Sequence, residues 1–321
     1  MLNFRALKEI KGDASFRKFY RNKTNNSIIV FSKKEKVKNL LNYDAVNKIL
    51  NRNKILAPKL LSQNFKKNYI EVEDFGDDTL YKLFKNKNVN KEKIFKKIIK
   101  LLIKLQSIKD KKITNFKNQQ FKITEYNNKT LLNEANLFCE WYTPTKLNRF
   151  KNKNFKKNYQ KEVKKILLNL NFKNDTFVHR DFHASNIMIC KKNFGIIDSQ
   201  DAIMGNPLYD VASLIDDVRI KLPHDVQNTL FEFYLKNSKY KKEAISKLKN
   251  DFDILSVQRN LKILGIFVRL CKRDYKPGYL KFLPYTWLLI ERRLKNPIFK
   301  NFNILMHKHL PLKKFKQLKK M

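Results

Sequence analysis

Glycine is scarce in this chain, six residues in 321, so each one that remains is worth reading. Four of them, Gly12, Gly76, Gly195 and Gly205, fall at seams of the pattern developed below. Cysteine is scarcer still. Cys139, Cys190 and Cys271 lie far apart, form no C-x-x-C pair and leave an odd count, which argues against a disulfide framework and for reduced thiols in a cytosol. No apolar run approaches the roughly 20 residues needed to span a bilayer, and the first residues carry no apolar signal core. A soluble, cytoplasmic protein without a membrane span is expected.

Acidic residues are also short, 29 against 70 basic ones, giving a formal net charge of +41. Such a field attracts polyanions of any sequence. Arginine, the usual choice for bidentate phosphate and base recognition, supplies only 12 of the 70. The lysines arrive with abundant Asn, Ile, Phe and Tyr while Gly, Pro and Ala are few, a skew shared by residues with AT-rich codons. A lysine excess spread over every segment implies no dedicated nucleic-acid partner. The basic stretch 312–321 reads either as a solvated tail or as an amphipathic contact for a membrane or RNA.

The hydrophobic share, 42%, is enough for substantial cores, and the length suits two lobes. Ser15-Phe-Arg-Lys-Phe-Tyr-Arg21, a polar turn over 22–26 and Ser27-Ile-Ile-Val-Phe31 predict a hairpin. Apolar residues at helical spacing over 36–51 predict a helix, and a second strand pair follows Pro58. Glu71-Val-Glu-Asp-Phe-Gly-Asp-Asp78 ends a strand with five carboxylates and suits a connector. Helices are expected over 79–84, 91–108, 130–142, 210–220, 225–235, 255–270 and 280–294, and the Lys- and Asn-rich stretch 151–157 reads as a solvated loop. The fold class is therefore α+β: a small antiparallel-sheet lobe with one helix (1–72), a hinge (73–78), a larger mainly helical lobe (79–311) and a basic tail (312–321).

The chemistry concentrates in Phe177-Val-His-Arg-Asp-Phe-His-Ala-Ser-Asn-Ile-Met-Ile-Cys190 and Phe194-Gly-Ile-Ile-Asp-Ser-Gln-Asp201. Short apolar runs, too short for helices, flank polar residues held in loops. Phosphoryl transfer needs a carboxylate to orient and deprotonate the attacking hydroxyl, and oxygen ligands for a phosphate-bound metal. His179-Arg-Asp181 with Asn186 five residues on has the spacing of a kinase catalytic loop, H-R-D-x-x-x-x-N. Asp181 suits the hydroxyl, Asn186 a metal, and Asp198, after a strand, a second metal contact. His179 and His183 are spaced as zinc ligands on a helix, but a strand–turn puts i and i+4 on different faces. His179 is expected to shape the loop, and His183 either supports it or meets substrate. Asp201 is either a metal or sugar contact or a cap, and Asp210 fits a helix N-cap supporting the site.

At these residues the chain resembles the aminoglycoside phosphotransferase and choline kinase superfamily, which has a two-lobed protein-kinase-like fold. Gly12-Asp-Ala-Ser-Phe-Arg-Lys-Phe-Tyr-Arg21, Asn136-Leu-Phe-Cys-Glu-Trp-Tyr142 and a long stretch from Val257 through Arg259, Arg269 and Arg273 to Leu280 are similar to one branch. That branch is the bacterial N-acetylmuramate/N-acetylglucosamine anomeric kinases of cell-wall recycling. The resemblance implies ATP and Mg²⁺ as cofactors, Asp181 as catalytic base, and Asn186 and Asp198 as Mg²⁺ ligands. It implies that Gly12, Asp13, Ala14, Ser15 and Phe16 cover the phosphates, and that backbone at Glu73, Asp74 and Phe75 meets adenine. Arg17, just after the cover, either contributes to nucleotide binding or is a solvated hairpin residue. The implied acceptor is the anomeric hydroxyl of an amino sugar; the candidate substrate contacts in this chain are His183, Gln200, Asp201 and Arg259.

The chain departs from the family pattern in three places. The phosphate cover has almost no glycine, Ser199 stands where an aromatic usually follows the metal-binding Asp, and no V-x-K follows the hairpin. Lys33, one residue out of place, is the stand-in for the triphosphate lysine, with Glu35 or Asp44 as its helix partner. Gln258, Arg259, Arg269 and Arg273 either receive a lactyl carboxylate or sugar hydroxyls, or belong to an amphipathic helix facing solvent. A kinase for choline, ethanolamine, homoserine or an aminoglycoside remains open and predicts an acidic, aromatic acceptor pocket from Glu134, Glu140, Trp141, Asp216 and Asp217. A basic nucleic-acid-binding pseudokinase is the non-enzymatic alternative. A monomer is expected.

Overall fold

The computed structural model describes residues 7–10, 17–191, 193–240 and 242–310. The chain divides into two compact units. Unit 1 comprises Met1–Thr124 and Phe177–Met204, and unit 2 comprises Glu125–Thr176 and Gly205–Met321. The segment carrying Asp181, Asn186 and Asp198 thus groups with the N-terminal sheet.

In unit 1 the described strands β1 (Leu7–Ile10), β2 (Lys18–Asn22), β3 (Ser27–Phe31), β4 (Leu60–Asn64) and β5 (Tyr69–Glu73) form one antiparallel sheet in the order β1-β2-β3-β5-β4. The predicted hairpin is β2–β3, with Asn22 opposite Ser27 and Asn26 in the left-handed conformation that closes the turn. Period-two alternation places Val30, Ile70 and Val72 on one sheet face, where Leu40 and Tyr43 of helix α1 (Lys38–Arg52) bury against them. Helices α2 (Leu80–Asn86) and α3 (Lys91–Gln106) follow, each opened by a side-chain cap: Thr79 Oγ1 accepts from Lys82 N, and Asn90 Oδ1 from Lys93 N. A small ribbon, β6 (Lys112–Thr114) with β7 (Gln120–Lys122), lies beside α1. Strands β8 (Thr176–Val178), β9 (Ile187–Cys190), β10 (Asn193–Ile196) and β11 (Ile203–Gly205) frame the polar loops.

Unit 2 is helical: α4 (Asn128–Ala135), a π turn over Phe138–Tyr142, α5 (Arg149–Leu167), α6 (Leu208–Ile215), α7 (His224–Asn237), α8 (Ile245–Asp274), α9 (Leu283–Arg293) and α10 (Lys300–His309). Its core is aromatic. Phe138 stacks on Tyr142 at 5.2 Å, Trp287 meets both edge-on, and Trp287 Nε1 donates to Tyr142 Oη at 2.8 Å.

Two sequence expectations are corrected here. Residues 151–157 are not a solvated loop but the first half of α5, capped by Asn148 Oδ1 on Lys151 N. Phe155, Tyr159, Val163, Ile166 and Leu167 form its buried stripe, too thinly spread among lysines to dominate the local pattern. Asp210 is not an N-cap. It lies inside the first turn of α6, fully buried; the N-cap position belongs to Pro207, and Asn206 Oδ1 just before it accepts from Leu208 N. Helix α8 is also longer than predicted, extending ten residues further toward the N-terminus than its expected start at 255.

Candidate active site

Antiparallel pairing assembles the polar loops of unit 1. Because Ile187 of β9 lies opposite Ile196 of β10, the residue before β9 and the residues after β10 emerge at the same end of the hairpin. Ile197 N donates to Asn186 O at 3.1 Å, so Asn186 and Asp198 leave neighbouring backbone. The hairpin is held by two other backbone segments. Ile189 N donates to Asp78 O at 2.8 Å, Ile196 N donates to Leu56 O at 2.8 Å, and Thr79 bridges to Met188. Gly195 has a steric reason to be glycine: a Cβ there would stand 2.7 Å from Cε2 of Phe75. The connector's aromatic ring lies against the strand that leads to Asp198.

The loop before β9 turns on Arg180, whose φ of +74° is left-handed. Its Asp181 carbonyl accepts from His183 N at 3.0 Å and from Asn186 Nδ2 at 3.0 Å, and Asn186 N donates to His183 O at 2.9 Å. The Asn186 amide therefore spends its nitrogen on the loop and leaves Oδ1 as an acceptor. His179 is fully buried next to Asp181, Asp198, Asp201 and the Ile197 backbone. Burial pushes its pKa down, and the carboxylates and the Ile197 carbonyl only partly oppose this. Its ring also meets Phe182 edge-on at 6.1 Å. His183 is buried too.

Asp198 has a φ of +65°, a conformation Asp tolerates better than most residues but still at a cost. Two contacts hold it there. Arg17 Nη2 meets Asp198 Oδ1 at 2.5 Å, and the next residue, Ser199, donates through Oγ to Asn47 Oδ1 on α1 at 2.5 Å. Asn47 is itself fixed by donating to Pro58 O at 2.8 Å. The serine found where the family has an aromatic thus makes a buried polar tie instead. Gln200 Nε2 donates to Asp201 Oδ2 at 2.9 Å, and the Asp201 carbonyl accepts from Arg180 Nη1 at 3.4 Å.

Arg21, which carried no expected role, clamps the connector. Its Nε and Nη2 reach Asp74 at 2.5 and 3.1 Å, and its Nη1 reaches Asp77 at 2.7 Å, holding the Asp77 carboxyl below the usual range. Asp74 Oδ1 also accepts from Gly76 N, and Glu73 Oε2 from Lys59 N. Their side chains are thereby committed to fixing the connector, which leaves its backbone as the surface available to a base. Lys33 is exposed, as is Glu35, and Asp44 is ion-paired with Lys48 at 2.9 Å. Gly12, Asp13, Ala14, Ser15 and Phe16 lie outside the described residues.

In unit 2, Arg259 is not on a solvent-facing stripe: Asp251 through Leu261 of α8 are all buried, and Arg259 is 3% exposed. Its Nη1 has no hydrogen-bond partner among the described residues. Gln258 Nε2 donates to Leu131 O, and Arg273 is exposed and paired with Asp274. The four carboxylates expected to line a cationic acceptor's pocket are engaged. Glu134 pairs with Lys262 at 2.9 Å and accepts from Tyr126, Asp216 takes a bidentate contact from Arg293 at 2.8 and 2.9 Å, Asp217 meets Arg219 at 3.6 Å, and Glu140 meets Lys156 at 3.4 Å.

The donor set suits Mg²⁺, a hard cation that takes few protein oxygens and shares the rest of its shell with phosphate and water. Asp198 retains 34% side-chain exposure, and Asn186 keeps Oδ1 as acceptor. Among the described residues no three His, Cys, Asp or Glu side chains gather into a group that could hold a metal ion.

An antiparallel sheet with one packed helix, a hairpin carrying the H-R-D-x-x-x-x-N loop and a mainly helical remainder make up the kinase-like fold of small-molecule phosphotransferases. The chain belongs to the phosphotransferase enzyme family, whose model matches residues 6–245. It is 25% identical over 284 residues to the N-acetylmuramate/N-acetylglucosamine kinase of Pseudomonas aeruginosa, covering 87% of this chain and 81% of that protein. To the kinase of the same name from Neisseria meningitidis it is 27% identical, with 85% and 82% covered. Among solved structures it resembles a choline/ethanolamine kinase family protein from Mesorhizobium loti (TM-score 0.61, 11% identity, 94% and 92% of the two chains). It also resembles the aminoglycoside phosphotransferase APH(2")-IIa in its gentamicin complex (TM-score 0.61, 14% identity, 88% and 90%). These two structures share its fold.

Proposed function

We propose that this protein is an ATP- and Mg²⁺-dependent kinase that phosphorylates the anomeric hydroxyl of an amino sugar, N-acetylmuramate or N-acetylglucosamine, giving the sugar 1-phosphate in cytoplasmic cell-wall recycling. One observation carries the acceptor class. Glu134, Glu140, Asp216 and Asp217, the carboxylates a cationic acceptor would need, are each already paired with a resident cation, whereas Arg259 keeps a buried donor without a partner among the described residues. A buried guanidinium nitrogen without a partner among the described residues suits a carboxylate such as the lactyl group of N-acetylmuramate. The curated relatives of both species point to the same acceptors.

In this reading Asp181 accepts the proton of the attacking hydroxyl as the new O–P bond forms and the bond to the nucleotide diphosphate breaks. Asn186 Oδ1 and Asp198 hold Mg²⁺, which neutralises charge on the transferring phosphoryl group when bound. His179, kept neutral by burial, adds no charge beside Asp181 and fills the space under the loop. Glu73, Asp74 and Phe75 present connector backbone to adenine, and His183, Gln200 and Asp201 contact the sugar. The test is ATP consumption with N-acetylmuramate, N-acetylglucosamine, choline and an aminoglycoside as acceptors. Turnover confined to the sugars is expected, and turnover confined to the amines would refute the acceptor assignment.

A further inference from the structure

We propose that Arg17 supplies the cation that grips the nucleotide's phosphates, the role for which Lys33 was the sequence candidate. This rests on reading the site as a nucleotide-dependent kinase. Lys33 is exposed, and the helix carboxylate expected to orient it, Asp44, is occupied by Lys48. Arg17 sits directly on the metal-loop carboxylate, 2.5 Å from Asp198 Oδ1, with its side chain 4% exposed. In sequence it immediately follows the segment expected to cover the phosphates and immediately precedes β2.

The surroundings of the guanidinium suit a poised group. Its Cζ lies 5.7 Å from the Phe19 ring centroid and 5.8 Å from that of Tyr43, so two aromatic faces restrict its motion without using its N–H donors. A buried guanidinium needs an anion in every state, because removing its partner leaves an uncompensated charge. Without nucleotide that anion is Asp198. When a magnesium–nucleotide complex is bound, the metal offers Asp198 a cation and the phosphates offer Arg17 an anion, so both buried charges remain paired. The planar guanidinium fork can grip two phosphate oxygens at once, which a lysine ammonium cannot do with the same geometry. Arg17 is thus a nucleotide-binding residue stored on the metal carboxylate, and Asp198 is kept neutralised until the metal arrives.

Equilibrium binding without acceptor sugar tests this. Magnesium–ATP and adenosine are titrated into the wild type, Arg17→Lys, Arg17→Met and Lys33→Met, with the unfolding temperature of each protein measured alongside. Arg17→Met is expected to weaken magnesium–ATP binding roughly 10–100-fold while changing adenosine affinity less than about twofold, with Arg17→Lys recovering most of the loss. Lys33→Met is expected to stay within about threefold of wild type. Unchanged ATP affinity in Arg17→Met overturns the proposal. So does an equal loss of ATP and adenosine binding with a lowered unfolding temperature, which marks the pair as structural, or a loss that appears in Lys33→Met instead. Wild type that binds ATP but phosphorylates no sugar overturns the acceptor reading alone, and wild type that fails to bind ATP overturns both.

Discussion

Asp198 occupies a left-handed backbone position between two side-chain ties, Arg17 on its carboxylate and Asn47 on its neighbour Ser199. The pair Asn47–Ser199 links residues 152 apart, which is why the sequence pattern did not expose it. A signal was present: Asn47 is a polar residue on the buried face of α1, and a polar side chain there must find a partner. Asp181, Asn186 and Asp198 stood out as candidates in the sequence because their candidacy rests on local spacing. Arg21, whose connector partners Asp74 and Asp77 are more than fifty residues away, was not. Two predictions belong at this scale. Asp181→Asn should lower kcat by on the order of 10²–10⁴ while leaving ATP affinity nearly unchanged, as measured by steady-state kinetics and titration. Ser199→Ala, Asn47→Ala and the double variant should show a coupling of about 1 kcal/mol in a denaturation cycle, and strict additivity would dismiss the tie.

At the scale of elements, two of the three stretches that carried the branch resemblance, 136–142 and 257–280, pack on one another within unit 2. Gly265 of α8 lies so close to the turn following α4 that a Cβ would stand 2.3 Å from the Leu137 carbonyl oxygen. Phe138, Cys139 and Tyr142 are core residues, and burial pushes the Cys139 thiol up, so it is held as an unreactive thiol. Gly265→Ala should destabilise the protein by roughly 1–3 kcal/mol or more, read as a lower unfolding midpoint, because backbone must move to admit the methyl group. Further along α8, burial first of all raises the Asp253 pKa to about 6. The native state then holds a proton that the unfolded chain has released, so stability from this group falls as pH rises from about 4 to 6. Asp253→Asn should flatten the stability profile across that interval relative to wild type, and parallel profiles would show that burial of Asp253 has no such effect. The hairpin, α1 and the β9–β10 pair were readable from periodicity. Helix α5 was not, because a stripe of five apolar residues among lysines gives a weak periodic signal until it is packed.

For the whole molecule, the net charge of +41 is the most conspicuous property of the sequence and the least informative about its chemistry. No helix among the described residues is long and apolar enough to cross a membrane. Polyanion binding driven by that charge should be sequence-independent and should fall steeply between about 50 and 200 mM salt. A salt-resistant RNA complex would favour the non-enzymatic alternative. The central claim is narrower: a phosphoryl group is delivered to an anomeric oxygen. A sugar phosphorylated there loses its reducing end, whereas one phosphorylated on any other hydroxyl keeps it. Following ADP release and the reducing-end signal together during turnover of N-acetylmuramate tests this directly. The account predicts that the reducing end disappears mole for mole with ADP formed, and ADP release with the reducing end intact would contradict it.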